Sequence, residues 1–152
     1  MGQILSDEGD QDKAIDCLID SLRWDSKNGW ALMLMGNIFT KFKKDVSTAM
    51  KYYDQALTVN PNDTITINNI GANLMQQGKT EEAKIYFNQA LKIDKNYPNA
   101  NLAMSLVLET EGKLLESFDS AITTLKLCKT KDEFYKNALS HTNEVAKKII
   151  ET

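Results

Sequence analysis

The chain has 152 residues, of which 42% are apolar and 26% charged, a balance that suits one globular domain and not a disordered segment. With 18 basic against 21 acidic residues the net charge is -3, which argues against a general nucleic-acid binder, since such proteins draw their affinity from neutralised phosphates. No apolar run approaches the roughly 20 residues that cross a bilayer, no signal-peptide pattern opens the chain, and Cys17 and Cys128 are too few for a disulfide framework. A cytoplasmic protein with both thiols reduced and half-buried is the expectation, with no membrane and no nucleic acid among its partners.

Spacings of three and four between apolar residues predict helices near 11–25, 29–42, 46–59, 64–77, 80–93, 98–111, 114–128 and 131–151. Only eight residues precede Gly9, which reads as a turn glycine, so the first unit is expected to be a half-repeat or the chain an excerpt of a longer one. Met1–Ser6 fits a loose N-myristoylation pattern. Asp63 is placed to cap the helix after Pro61. Thr80-Glu81-Glu82 offers a cap and acids where free N–H groups and the helix dipole favour them. Pro98 suits a first helical turn, where its missing N–H costs nothing. Thr130-Lys131-Asp132-Glu133 reads as a capping box before a last helix. That helix carries one apolar row of Phe134, Ala138, Val145 and Ile149 beside a second of Tyr135, Leu139, Thr142, Ala146 and Ile150. It is expected to cover the exposed face of the last repeat; the alternative is a helix that docks on a partner or continues into another domain.

The columns recur. Ala14, Ala49, Ala83 and Ser117 follow one another at steps of 35, 34 and 34, as do Leu18, Tyr53, Phe87 and Ala121. A second set, Gly36, Gly71 and Ser105, is followed three residues later by Phe39, Leu74 and Leu108. Turn glycines fall at Gly78 and Gly112, and one extra residue is assigned to the turn at 40–46. A constant step near 34 means one pair of helices per unit. Small residues let two backbones approach, large ones fill the gap, and pairs must stack because one pair cannot bury its own apolar stripe.

This pattern resembles the tetratricopeptide repeat family over nearly the whole chain, to about Leu127, and is most complete from Thr64 to Tyr97. The family's helix-opening tryptophan is replaced by Leu32, Ile67 and Asn101, and Lys95 stands where the closing proline would be. The resemblance implies an all-α fold, an α-solenoid of stacked antiparallel helix pairs in a right-handed superhelix, closed by a C-terminal capping helix. It divides the single domain, 1–152, into a half repeat at 1–28, repeats at 29–63, 64–97 and 98–130, and the capping helix at 131–152. It also implies a protein or peptide partner held in a concave groove lined by the first helix of each repeat.

By that resemblance the peptide-binding residues are Trp30, Met33 and Asn37, then Ile65, Asn68, Asn69 and Gln76, then Asn99 and Leu102. Carboxamides donate and accept, so they suit a peptide main chain, while Trp30 adds apolar contact. Trp24 is assigned to packing between helices. Asn37 and Asn69 coincide with the two asparagines of the subclass that grips chaperone C-terminal carboxylates. Its basic positions are Met33, Asn99 and Ala103 here, so tight recognition of acidic tails is not expected.

No catalytic motif, no metal-ligand spacing and no cofactor fingerprint accompany these residues, and His141, the one histidine, reads as a polar-edge residue. The expected function is a scaffold or adaptor module without catalysis. The alternatives are a regulatory or targeting domain of a larger enzyme, such as a peptidase, and a self-association module forming a homodimer through its terminal helices.

Overall fold

The computed structural model describes residues 8–130 and 132–152, and among these there are helices and turns but no strand. The myristoylation pattern at 1–6 and the first seven residues of the expected half repeat at 1–28 lie outside the described residues. Contacts divide the chain into two compact units, Met1–Ile70 and Gly71–Thr152.

The first unit contains α1 (Glu8–Trp24), α2 (Gly29–Ile38), α3 (Val46–Val59) and the opening turns of α4 (Thr64–Gln76). Gly9 falls inside α1 and not in a turn before it, a correction; one helical glycine costs only about 1 kcal/mol against alanine, too little to end a helix. Asn28 caps α2 by accepting from the Ala31 N–H at 3.1 Å, Asp45 caps α3 through Thr48 at 3.0 Å, and Asp63 caps α4 through Thr66 at 3.3 Å. Each cap sits at the start of a helix whose apolar face turns inward. Buried Ala49, Tyr53 and Ala56 of α3 lie on one face, and the Tyr53 ring packs directly on Gly36 of α2. A β-carbon at Gly36 would collide with that ring, so only glycine admits the helices this close.

The extra residue is not in the turn. It is absorbed inside the helix, where Phe39–Lys43 forms a π-helical segment continuing α2. In the second unit the Lys79 N–H donates to the Leu74 carbonyl and the Lys113 N–H to the Leu108 carbonyl, each five residues back. At the matching place the Asp45 N–H donates to the Phe39 carbonyl, six residues back, at 3.0 Å. The same closing bond is kept around one more residue. Lys44 then occupies the column of Gly78 and Gly112 and adopts their left-handed conformation, with φ of 54° against 77° and 75°. A side chain in that region costs roughly 1 kcal/mol or more. Lys44→Gly is therefore expected to raise stability by about 0.5–1 kcal/mol, read as a higher urea midpoint, once glycine's own unfolded-state freedom is set against the strain.

The second unit contains the rest of α4, then α5 (Thr80–Ile93), α6 (Pro98–Thr110), α7 (Leu114–Leu127) and α8 (Glu133–Ile150). Gly71 receives the Phe87 ring as Gly36 receives Tyr53. Thr80 opens α5 as its first helical residue and is not the cap; that place belongs to Lys79, whose side chain makes no capping bond. Pro98 lies in the first turn of α6 as expected. α8 is capped by Asp132, which accepts from the Tyr135 N–H at 3.1 Å, so the capping-box reading centred on Thr130 is corrected. Thr130 instead donates to the Asp132 carboxylate at 2.8 Å, and these two bonds hold that carboxyl below the usual range. α8 packs on α7 through buried Ala138, His141, Thr142 and Val145, while Leu139 and Ile150 of the second expected row are exposed.

Candidate functional site

The residues expected to face a peptide separate by burial. In the first unit Trp30 is 60% exposed and Ile65 36%, whereas Met33 and Asn68 are 2% and 7% exposed. Met33 and Asn68 share one repeat column and both turn inward, so they support the face from beneath and do not form it. Asn37 and Asn69 are half-buried. In the second unit Gln76 and Asn99 are exposed and Leu102 is half-buried.

The two half-buried amides belong to one hydrogen-bonded knot. Asn37 Oδ1 accepts from the Tyr53 hydroxyl at 2.7 Å and from Asn69 Nδ2 at 2.8 Å. Asn37 Nδ2 donates to Met33 Sδ at 3.1 Å. Both lone pairs of the Asn37 oxygen are thus used, while a carboxamide nitrogen carries two N–H donors and only one of these is committed. The ring that fixes Gly36 against α3 also fixes Asn37 through its hydroxyl, so the repeat's core contact orients the amide. The resemblance to the repeat family puts Asn37 and Asn69 on this face. Their direct bond, and the part of Tyr53 in it, follow from side-chain reach that periodicity does not carry.

Trp24 is 93% exposed, which corrects its assignment to packing. It ends α1, and the matching Val59 and Ile93 are themselves 41% and 40% exposed, so this column lies at a helix rim. Ala14 and Cys17 of α1 are exposed as well, and the thiol expected to be half-buried is therefore open to solvent; Cys128 is half-buried.

His141 is buried, not at a polar edge. Its Nε2 lies 2.8 Å from Ser105 Oγ, and its Nδ1 lies 3.6 Å from Glu109, which also pairs with Lys148. Ser105 and Ser117 lock α6 to α7, each hydroxyl donating to the other's carbonyl at 2.7 and 2.8 Å. A serine, a histidine and a glutamate in this order also make up hydrolytic triads. Ser105 is 0% exposed, however, and its hydroxyl is committed to the Ser117 carbonyl, so its oxygen is closed to a substrate carbonyl in this packing and the cluster reads as a structural clasp. The one hint of it in the amino-acid pattern lies in the serines that replace glycine and alanine at 105 and 117, where a hydroxyl fits a close helix contact. Burial lowers the His141 pKa below 6.5, against the opposing pull of the Glu109 and Glu144 carboxylates and with the help of Lys148. A depressed histidine pKa contributes stability that is whole above about pH 6.5 and is lost as pH falls towards the folded-state value. Urea midpoints are expected to drop between pH 7.5 and 5.5, and His141→Gln to remove most of that drop.

Elsewhere in the second unit, Leu115 and Ile150 are 71% and 84% exposed beside a cleft of about 420 Å³ lined by Gly112, Leu114 and Ile149. Among the described residues no helix is long and apolar enough to cross a membrane, and no group of three or more His, Cys, Asp or Glu side chains is placed to hold a metal.

No curated protein matches the chain significantly in sequence. Among solved structures, PilF of Pseudomonas aeruginosa is similar at a TM-score of 0.71 and 22% identity, over 87% of this chain and 58% of that one. The chain thus spans little more than half of PilF. The first tetratricopeptide domain of Spaghetti (RPAP3), bound to the HSP90 peptide SRMEEVD, is similar at 0.70 and 17% identity, over 83% of this chain and 96% of that one. These likenesses show the fold class, an all-α solenoid of antiparallel helix pairs. Family models described as tetratricopeptide repeat match residues 1–28, 31–63 and 66–97, more than half of the chain, which belongs to the tetratricopeptide repeat family.

Proposed function

We propose that this chain is a protein-interaction module whose first unit takes a peptide segment on the face made by Trp30, Ile65, Asn37 and Asn69. One observation carries the reading: a tryptophan left 60% exposed stands on the same helix face as a half-buried amide knot. Solvent-facing aromatics of this kind are the usual anchors of recognition, and fixed amides suit main-chain groups. The similar Spaghetti domain holds a peptide, which supports a peptide partner for this chain. Gln76, Asn99 and Leu102 are proposed as the corresponding surface of the second unit.

The test is site-specific photo-cross-linking in the parent cell, with p-benzoylphenylalanine placed at Ile65 or, as control, at Ile85, which is 66% exposed on α5. Discrete adducts from position 65 and none from 85 are expected. Equal labelling at both would contradict the reading. The peptide SRMEEVD is a further probe. The positions that would need cations hold Met33, Asn99 and Ala103, so its carboxylates find no charge-assisted partners there. Binding weaker than about 100 μM is expected in a calorimetric titration, against a micromolar value for a working clamp.

A further inference from the structure

The amide knot and the charges around it narrow the class of peptide, an inference that rests on the reading above. In the first unit the face consists of Trp30, Ile65, Asn37 and Asn69 over Met33 and Asn68, with no charged side chain among the six. The Asn37 oxygen is saturated by Tyr53 and Asn69, so it accepts nothing from a ligand, while its nitrogen keeps one N–H beyond the bond to Met33. The face therefore offers a neutral donor to a carbonyl oxygen and an apolar platform to a side chain. Lys41, one helical turn beyond Asn37, stands at the edge of this face with its ammonium over the Phe42 ring, and a terminal carboxylate placed on the six residues themselves would surrender its hydration without meeting a cation among them. The carbonyl of a peptide bond in mid-chain surrenders far less.

Geometry sets the register. Trp30 and Asn37 are seven residues apart on one helix face, about 10.5 Å along its axis at 1.5 Å per residue. An extended peptide advances about 3.3 Å per residue, so roughly three residues separate the group on Trp30 from the group on Asn37. Ile65 and Asn69 stand four apart on α4, and the bond from Asn69 to Asn37 sets that row beside the first.

We propose that this face selects an internal, uncharged, extended segment of its partner. A bulky apolar side chain rests on Trp30 and Ile65, and a main-chain carbonyl about three residues away accepts from Asn37 Nδ2. The N- and C-termini of the partner take no part.

Selection from random peptide libraries in two formats tests this, one with the segment flanked on both sides by glycine and serine, the other with a free C-terminus. The internal format is expected to yield binders enriched in bulky apolar residues and poor in charge. The best of them, synthesised with both ends blocked, should weaken roughly tenfold with Trp30→Ala and hardly at all with Trp24→Ala or Trp30→Phe. Far-UV circular dichroism and urea midpoints of each variant separate lost contact from lost fold. Binders found only with a free C-terminus, acidic and abolished by amidation, would overturn this inference and leave peptide binding standing. Binders indifferent to Trp30→Ala would overturn the anchor assigned here. No binder in either format would overturn both the inference and the peptide reading beneath it.

Discussion

Truncating Phe87 to alanine is expected to cost about 3–5 kcal/mol of folding stability. The ring is 0% exposed and lies on Gly71, flanked in its own helix by buried Ala83 and Ala90. All three neighbours are too small to move into the space it leaves, so the cavity stays open and the full cost of lost contact is felt. Tyr53→Ala should cost a similar amount and also release Asn37, whose oxygen accepts from the Tyr53 hydroxyl. Urea denaturation followed by circular dichroism reads both. A loss under about 1 kcal/mol for Phe87→Ala would mean that this contact does not organise the unit.

The reverse change is expected to hurt as well. A β-carbon at Gly71 would lie 2.6 Å from Phe87 Cε1, on the face of a buried ring that cannot swing aside. Alanine in a helix ordinarily stabilises by about 1 kcal/mol over glycine. Here overpacking should outweigh that gain, leaving a net cost of about 1–3 kcal/mol. The sign decides the matter, since a stabilised Gly71→Ala would refute the close approach of α4 and α5. The double variant with Phe87→Leu should cost less than the sum of the two single variants, because the smaller side chain makes room for the added methyl.

The helices are legible because their columns repeat: a glycine or alanine facing a bulky residue at constant spacing names both the helix and its buried face. Six of the eight predicted starts, at 29, 46, 64, 80, 98 and 114, coincide with the helices found. What escapes depends on single atoms. The inserted residue reads as part of a turn because sequence counts residues but does not say which hydrogen bond stretches to hold one more; the Phe39–Lys43 segment supplies that answer. Asp132 and not Thr130 caps α8, a choice between neighbours that both offer an oxygen. His141 reads as polar and is buried, because its partner Ser105 lies 36 residues away and only α8's placement joins them.

The site divides in the same way. The family resemblance puts Trp30, Asn37, Ile65 and Asn69 on one face, and in the structure Trp30 and Ile65 are exposed while Asn69 donates to Asn37. It also places Met33 and Asn68 there, though a turn of the helix carries these inward. A hydrophobic stripe wide enough to serve two neighbours leaves its edge positions undecided until both neighbours are packed.

Amide chemical shifts of the labelled chain, recorded as an end-blocked apolar peptide from the internal library is added, test most directly whether this face binds. Saturable shifts of the Trp30 indole N–H and of the Asn37 and Asn69 side-chain amides are predicted, with the Trp24 indole unmoved. Shifts confined to the surface around Leu115 and Ile150, with Trp30 and both amides silent, would contradict that prediction.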